Sequence, residues 1–132
     1  MSRREERKEA FKLLFSNTFG INNFSDDVSK FAKEIFDGVN ENILIIDDLI
    51  KKNIRNWKFE RISRVAKSAM RMGIYEVIKE EIPAPVAINE AVEMAKIFGS
   101  EEEANYVQAV LTSVANSYKE YINIKQNNFI VK

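Results

Sequence analysis

Helix-breaking residues are scarce in this chain: four glycines and two prolines interrupt 132 residues. Between them apolar residues recur every three or four positions, the spacing of one helix face, and no run alternates with period two for long enough to indicate a strand. Because glycine and proline are the strongest local interrupters of regular structure, long stretches without them favour continuous helices. The sequence therefore predicts an all-α fold, a compact bundle of about six or seven helices.

Local start and stop signals divide the chain into these helices. The start signals are Ser2 with Glu5 as a capping box, Ser25 or Asp26, Glu60, and Ser100 with Glu103. A weak point at residues 40–42 separates two helices, and Pro83 with Pro85 and Gly99 are the stop signals. They predict one folded domain over residues 1–122, with the turn at residues 83–85 as its best internal division. Residues 123–132 lack helical periodicity and are predicted to form a frayed or loosely docked tail.

The first predicted helix combines an apolar face with three arginines. At 100° per residue, Arg3, Arg4 and Arg7 point the same way as the apolar residues that follow them, and Lys8 and Lys12 widen the basic edge. Arginine is almost never buried unpaired, so the first turns are predicted to project beyond the core as a basic arm suited to phosphate or carboxylate. A solvated helix end that is merely basic is the alternative.

Composition limits the chemistry that the chain can perform. The net charge is zero, with 20 basic and 20 acidic residues, so contact with nucleic acid requires local segregation of charge. The absence of cysteine and histidine excludes thiol nucleophiles, disulfides, histidine acid–base chemistry and the usual zinc sites. Glu90 and Glu93 have a spacing that could ligate a metal, but no histidine completes a site. We therefore expect no enzyme, cofactor or metal.

The charged start and the hydropathy of the chain indicate where the protein is located. The start is charged and lacks the apolar run of a signal peptide, and no segment is apolar for long enough to span a bilayer. The protein is therefore expected in the cytoplasm.

Four segments carry motifs of a known family. They are Arg3–Arg4–x–x–Arg7 with Leu14–Phe15, Trp57 with residues 60–62, residues 70–76, and residues 82–96. The last is the longest and reads Ile-Pro-Ala-Pro-Val-Ala-Ile-Asn-Glu-Ala-Val-Glu-Met-Ala-Lys. Together these segments resemble the NusB family from about Arg3 to Leu111.

The resemblance implies a fold and a role that composition and residue spacing alone do not indicate. It implies an all-helical fold of two packed subdomains, about residues 1–56 and 57–122. It also implies transcription antitermination that promotes ribosomal RNA transcription. Members of the family bind the single-stranded boxA element of leader RNA as a heterodimer with the ribosomal protein NusE. Contact with other elongation factors and RNA polymerase would then be indirect, and no membrane is involved.

The resemblance also assigns candidate residues. Arg3, Arg4 and Arg7, with the neighbouring Lys8, match basic positions that touch RNA, and Phe15 stands where the family usually has tyrosine. A core aromatic is the alternative for Phe15. Glu76 matches an acidic position implicated in the contact with NusE, with an internal salt bridge as the alternative, and the neighbouring Tyr75 is a further candidate for that contact.

The last helix departs from the family pattern. The family has Phe-Val-Asn-Gly-Val-Leu-Asp where this chain has Tyr106–Val107–Gln108–Ala109–Val110–Leu111–Thr112. Tyr106, Gln108 and Thr112 are the RNA-contacting candidates, and they require that this helix lie beside the first one. A merely polar, solvated face is the alternative. The departure also allows a second function class: a protein-interaction scaffold that keeps the fold but has lost specific RNA binding.

Overall fold

The computed structural model describes residues 1–55 and 58–129, with side chains described as far as residue 125. Its α-helices are α1 (Arg3–Asn17), α2 (Lys30–Glu41), α3 (Ile43–Asn53), α4 (Arg64–Lys79), α5 (Ala84–Phe98) and α6 (Glu101–Phe129), with a 3-10 helix at Phe59–Arg61. No strand is present in these ranges. The predicted all-α bundle is confirmed. Trp57, which the sequence motifs include, lies outside the described residues.

Two predicted helix starts are confirmed by their hydrogen bonds. At α1, the Ser2 hydroxyl accepts from the Glu5 backbone N–H and the Glu5 carboxylate accepts from the Ser2 N–H, which completes the capping box. The Ser2 hydrogen bond also lowers the pKa of Glu5. At α6, the Ser100 hydroxyl accepts from the Glu103 backbone N–H. Short polar side chains therefore fix both starts.

Two other starts were predicted at the wrong residue. The second helix begins after Ser29, whose hydroxyl accepts from Ala32, and not after Ser25 or Asp26. A serine cap also moves the start of α4 from the predicted Glu60 to Arg64, where the Ser63 hydroxyl accepts from the Ala66 N–H. Before α2, Ser25, Asp26, Asp27 and Ser29 give equivalent cap signals, and only tertiary packing selects among them.

The last helix is longer than predicted. Helix α6 continues to Phe129, beyond residue 122, where the predicted folded domain ends. The frayed or loosely docked state of residues 123–132 stays a prediction. Just before this segment, two tyrosine hydroxyls of α6 donate to acidic partners on other elements, Tyr118 to Glu80 and Tyr121 to Asp48. Burial and the neighbouring Glu80 carboxylate raise the pKa of Tyr118 to about 12.

Helix α4 is the centre of the bundle and packs against each of the other five α-helices. Its Met70, Met72 and Ile74 are fully buried. Gly73 allows the close approach of the neighbouring helices, because a Cβ there would lie 2.7 Å from a Leu111 methyl group. The core is therefore arranged around the helix that also carries Glu76.

Helix α1 runs antiparallel to α4. Near its start, Arg7 hydrogen-bonds Glu76, which lies 69 residues away toward the end of α4. At its end, the Thr18 carbonyl accepts a hydrogen bond from Arg64, the first residue of α4. One side of α1 therefore faces the core and the other is open to solvent.

The proposed division into two subdomains at residues 56 and 57 stays a prediction, because both residues lie outside the described ranges. Among the residues that the structure describes, no helix combines the length and the hydropathy needed to cross a membrane.

Candidate nucleic-acid interface

Arg7 does not project from the core as predicted. Its side chain is 8% exposed and donates two hydrogen bonds to the Glu76 carboxylate, 3.0 Å to Oε1 and 2.8 Å to Oε2. Burial alone would lower the pKa of Arg7, but its hydrogen bonds to Glu76 and the charges of Glu76 and Glu90 raise it overall. Arg7 is therefore a buried, paired cation, and the expectation that it overhangs the core is wrong.

The other two arginines lie nearer the surface, and both have acidic partners. Arg4 donates to Glu90 at 2.8 and 3.1 Å and approaches Glu93 at 3.7 Å. The Arg4 hydrogen bonds lower the pKa of Glu90. Arg3 is the most exposed, at 59% of its side chain, and pairs with Glu6 at 2.8 Å. The basic arm is thus partly neutralised by neighbouring carboxylates.

A second set of side chains gives α1 its exposed basic edge. Arg4, Lys8, Lys12 and Phe15 fall within about 80° of one another at 100° per residue, and they span about 17 Å of the helix. Lys12 is exposed, and Arg4, Lys8 and Phe15 are partly exposed. These four residues are called the α1 strip. Three cations followed by an aromatic ring form a surface suited to a single-stranded nucleic acid.

Phe15 joins the α1 strip to the core. Its ring stacks on buried Phe11 at a centroid distance of 6.1 Å, and Phe11 in turn stacks on Phe98 at 4.5 Å. Beyond the end of α1, Phe19 meets Phe15 edge to face at 5.3 Å. Because Phe15 is partly exposed, one ring serves both as a packing residue and as a surface that a base could contact.

The candidates on α6 lie at the end of the bundle where α4 begins. Gln108 and Thr112 are exposed, whereas Tyr106 is half-buried and lines a pocket with Ser63 and Ala66. Ala66 precedes Glu76, the partner of Arg7, by ten residues of α4, which corresponds to about 15 Å. Burial raises the pKa of Tyr106. Tyr106 therefore lies at the end of the bundle that holds Phe15 and not at the arginine end of α1. Because α1 packs against α2, α4 and α5 and not to a comparable extent against α6, the requirement that the last helix lie beside the first is not met by direct helix packing.

Glu76 and Tyr75 occupy different environments on α4. The Glu76 carboxylate is engaged by Arg7, so the internal salt bridge that the sequence left open is present. Tyr75 packs against Gly38, where a Cβ would lie 2.2 Å from the ring. Arg3, Tyr75, Glu76 and Lys79 share an open pocket at this end of α4.

The basic side of α4 is largely satisfied within the fold. Arg71 donates two hydrogen bonds to Asp47, both at 2.9 Å, and Lys67 lies 4.4 Å from the Phe59 ring centroid. Arg64 lies over Phe19 at 4.2 Å. The sequence-based interpretation did not include Phe19 and did not name Lys12 among the RNA-binding residues. Their spacing from Phe15, three or four residues on either side, indicated the same helix face. Within the described part of the chain, no group of three or more Asp or Glu side chains is placed to hold a metal ion.

The fold and this surface define a class of small all-α proteins with a basic and aromatic strip along the N-terminal helix. The family model of the NusB family matches residues 1–116. The chain belongs to the NusB family.

Individual relatives agree with this assignment. The transcription antitermination protein NusB of Fervidobacterium nodosum is 38% identical over 125 residues, which cover 92% of this chain and 87% of that protein. The Myxococcus xanthus protein of the same name is 39% identical over 108 residues, 81% of this chain and 77% of that protein.

Solved structures share the fold. NusB of T. maritima superposes with a TM-score of 0.76 at 32% identity, covering 88% of this chain and 92% of that chain. A crystal structure of the antitermination factors NusB and NusE in complex with dsRNA gives a TM-score of 0.74 at 22% identity, covering 89% of this chain and all of that one (100%). At this identity, the second likeness concerns the fold alone.

Proposed function

We propose that this chain acts in transcription antitermination by binding single-stranded, boxA-type RNA together with NusE. It is a binding factor rather than an enzyme, and as a transcription factor of this family it works in the cytoplasm. The observation that carries the proposal is the α1 strip, because it places three cations and an aromatic ring in one line on the surface. Membership of the NusB family supports the same role.

The α1 strip supplies both kinds of contact that single-stranded RNA requires. Arg4, Lys8 and Lys12 meet phosphates, and Phe15 stacks on a base with its exposed edge and face. Arg3, at the start of the helix, adds a fourth cation. Arg7 contributes indirectly, because its hydrogen bonds to Glu76 fix α1 on α4 and so set the direction of the strip.

The α6 candidates read the bases beyond Phe15. Tyr106 provides an aromatic surface and Gln108 an amide edge, the groups with which proteins distinguish unpaired bases. Thr112 stands where the family has a carboxylate, so a polyanion meets no repulsion at that position. The RNA path therefore runs from Arg4 along α1 and continues toward the start of α6.

NusE binds at the opposite end of α4 from Tyr106. The open pocket there is lined by Arg3, Tyr75 and Lys79, with the Arg7–Glu76 pair at its side. Tyr75 is the best anchor, because it is half-buried and its ring, which is seated against Gly38 of α2, also lines this pocket. The phosphate-binding cations of NusE would then extend the basic surface of the α1 strip.

The test is a titration of boxA RNA and a scrambled RNA with the chain, with NusE and with their mixture, each at several salt concentrations. We expect the mixture to bind boxA at least about tenfold tighter than either protein, which is a coupling of about 1.4 kcal/mol. Replacing Arg4, Lys8 and Lys12 by glutamine should flatten the slope of log affinity against log salt by about 2, since each phosphate contact contributes about 0.7.

A matched control removes the same charge from other faces of the protein. Lys33, Lys51 and Lys119 are exposed on α2, α3 and α6, and their replacement by glutamine should leave the slope nearly unchanged. Equal slopes for the two triple variants would refute the role of the α1 strip.

One observation favours a second function, a protein-interaction scaffold. Arg3, Arg4 and Arg7 all have acidic partners, so their charge is less available to phosphate than the sequence suggests. The same titration separates the two functions. If the chain forms a stable heterodimer with NusE but the heterodimer binds boxA and scrambled RNA with equal affinity, the scaffold function is established.

A further inference from the structure

Phe19 is an aromatic side chain left on the surface just beyond α1. It is 56% exposed, although its ring meets Phe15 edge to face at 5.3 Å. An isolated exposed apolar residue needs no explanation, but Phe19 lies in line with the α1 strip and next to its aromatic member. A ring in this position adds a second stacking surface directly after Phe15.

Arg64 is held over this ring. Its guanidinium carbon lies 4.2 Å from the Phe19 ring centroid, and one of its nitrogens donates to the Thr18 carbonyl. A guanidinium has five N–H donors in a planar fork, so several remain after this bond. Among the residues that the structure describes, Arg64 takes part in no ion pair, unlike Arg3, Arg4, Arg7 and Arg71.

The surroundings of Arg64 favour an anion. Arg64 lines an open polar pocket together with Thr18, Asn40, Glu60, Lys67 and Arg71. Burial and the positive charges of Arg71 and Arg64 lower the pKa of Lys67, although the carboxylates of Asp47 and Glu60 raise it in part. Asp47 pairs with Arg71, which leaves Arg64 and Lys67 against the single carboxylate of Glu60. Positive charge is therefore in local excess, and the planar fork of Arg64 matches the geometry of a phosphate.

We propose that Phe19 and Arg64 bind one further nucleotide of the RNA, with its base stacked on Phe19 and its phosphate held by Arg64. This inference rests on the proposed function and extends the α1 strip around the end of the helix. Successive bases stack on successive aromatic rings in single-strand binding, and Phe15 and Phe19 are such a pair. The site belongs to this chain's own residues, because the arginine is supplied by α4 and the ring by the loop after α1.

Two substitutions test the two halves of the site. Loss of a base–aromatic stack costs about 1–3 kcal/mol, so Phe19→Ala should weaken RNA binding by about 5- to 150-fold. Arg64→Gln should flatten the salt slope by about 0.7. The matched control is Ile21→Ala, because Ile21 is 53% exposed in the same loop and lies outside the proposed site.

A scan of RNAs that each lack one base locates the nucleotide. One position is expected at which removing the base weakens binding to the wild-type chain but not to Phe19→Ala, since the stack is already lost in that variant. Melting curves for Phe19→Ala, Arg64→Gln and Ile21→Ala should coincide with the wild type within a few degrees. That result shows that the fold is intact.

The possible failures are distinguishable. If boxA RNA binds with a salt slope that depends on the α1 strip, but Phe19→Ala and Arg64→Gln behave like Ile21→Ala, the extra nucleotide site is refuted and the proposed function stands. Loss of NusE binding in Phe19→Ala with RNA binding unchanged would also refute it, since the surface would then dock a protein. If the wild-type chain shows no preference for boxA with or without NusE, both proposals fail.

Discussion

The buried pair of Arg7 and Glu76 allows a quantitative stability prediction. Both side chains are less than a tenth exposed, at 8% and 9%, and two hydrogen bonds join them. Removing one partner of a buried ion pair costs about 3–5 kcal/mol, because the other charge stays buried without compensation. Glu90, 3.9 Å from Arg7, compensates in part, so we expect Glu76→Ala to cost about 3 kcal/mol.

This loss of stability can be expressed as a decrease in melting temperature. Unfolding entropy is about 2.1 cal/mol/K per residue, or about 0.28 kcal/mol/K for a chain of 132 residues. A cost of about 3 kcal/mol therefore lowers Tm by about 11 °C. The assay is thermal unfolding followed by circular dichroism, with Glu81→Ala as the control, because Glu81 is 75% exposed and should shift Tm by no more than about 2 °C.

A double variant separates the ion pair from the space it fills. Apolar replacements of similar volume for a buried pair are often neutral or stabilising, so Arg7→Met with Glu76→Leu should recover most of the lost stability. Because the Arg7 guanidinium is buried, the double variant should also keep the salt slope of RNA binding. A Glu76→Ala variant that melts with the control, or a double variant that melts as low as Glu76→Ala, would refute the reasoning.

Three further predictions concern single positions. Gly73→Ala should destabilise by about 1–3 kcal/mol in denaturant titrations, since the new Cβ would lie 2.9 Å from the Ala91 Cβ, which cannot rotate away, and 2.7 Å from a Leu111 methyl group. An unchanged denaturation midpoint would mean that α4 and α5 move apart without cost. Ser2→Ala should cost about 1 kcal/mol, or about 4 °C in Tm, by removing the cap of α1, and Ser2→Asp should restore it. Arg4 lowers the pKa of Glu90 below its ordinary value of 4.5, so the ionised Glu90 stabilises the fold above pH 4.5 and this stabilisation is lost as the pH falls through the lowered pKa. The Tm difference between wild type and Glu90→Gln should therefore shrink below about pH 4.5. A difference that stays constant with pH would contradict this.

Local signals account for most of the fold that could be predicted. The capping box at Ser2, the C-cap at Gly99 and the apolar spacing of α5 each depend on residues a few positions apart, and all three are confirmed. The continuation of α6 to Phe129 was missed because residues 123–129 lack the apolar spacing of a helix face. The hydrogen bonds of Tyr118 to Glu80 and of Tyr121 to Asp48 join residues that are distant in sequence, and contacts of this kind leave no periodic pattern.

The candidate site shows the same limit. Charge and helical spacing correctly grouped the N-terminal cations on one helix, but they could not reveal that Arg7 meets Glu76 across 69 residues. The rule that arginine is not buried unpaired was sound, and its application failed because the partner was not visible. The pairing of Phe19 with Arg64 was missed for a related reason: Phe19 lies in a loop, Arg64 is one of several basic residues on the polar side of α4, and only the fold brings the two together.

The row of aromatic rings has a consequence for the motion of Phe15. Phe11 is clamped between Phe98 and Phe15 at 4.5 and 6.1 Å, and Phe19 closes the row at the far end. A side chain ordered on binding costs about 0.5–1.5 kcal/mol, but a ring already immobilised by its neighbours adds little to that cost. The same clamp restricts adaptation, because turning Phe15 toward a differently placed base requires Phe11 to shift inside the core. Slow ring flips of Phe11 and Phe15, resolved as separate NMR signals for the two sides of each ring, are the expected signature of this preorganisation.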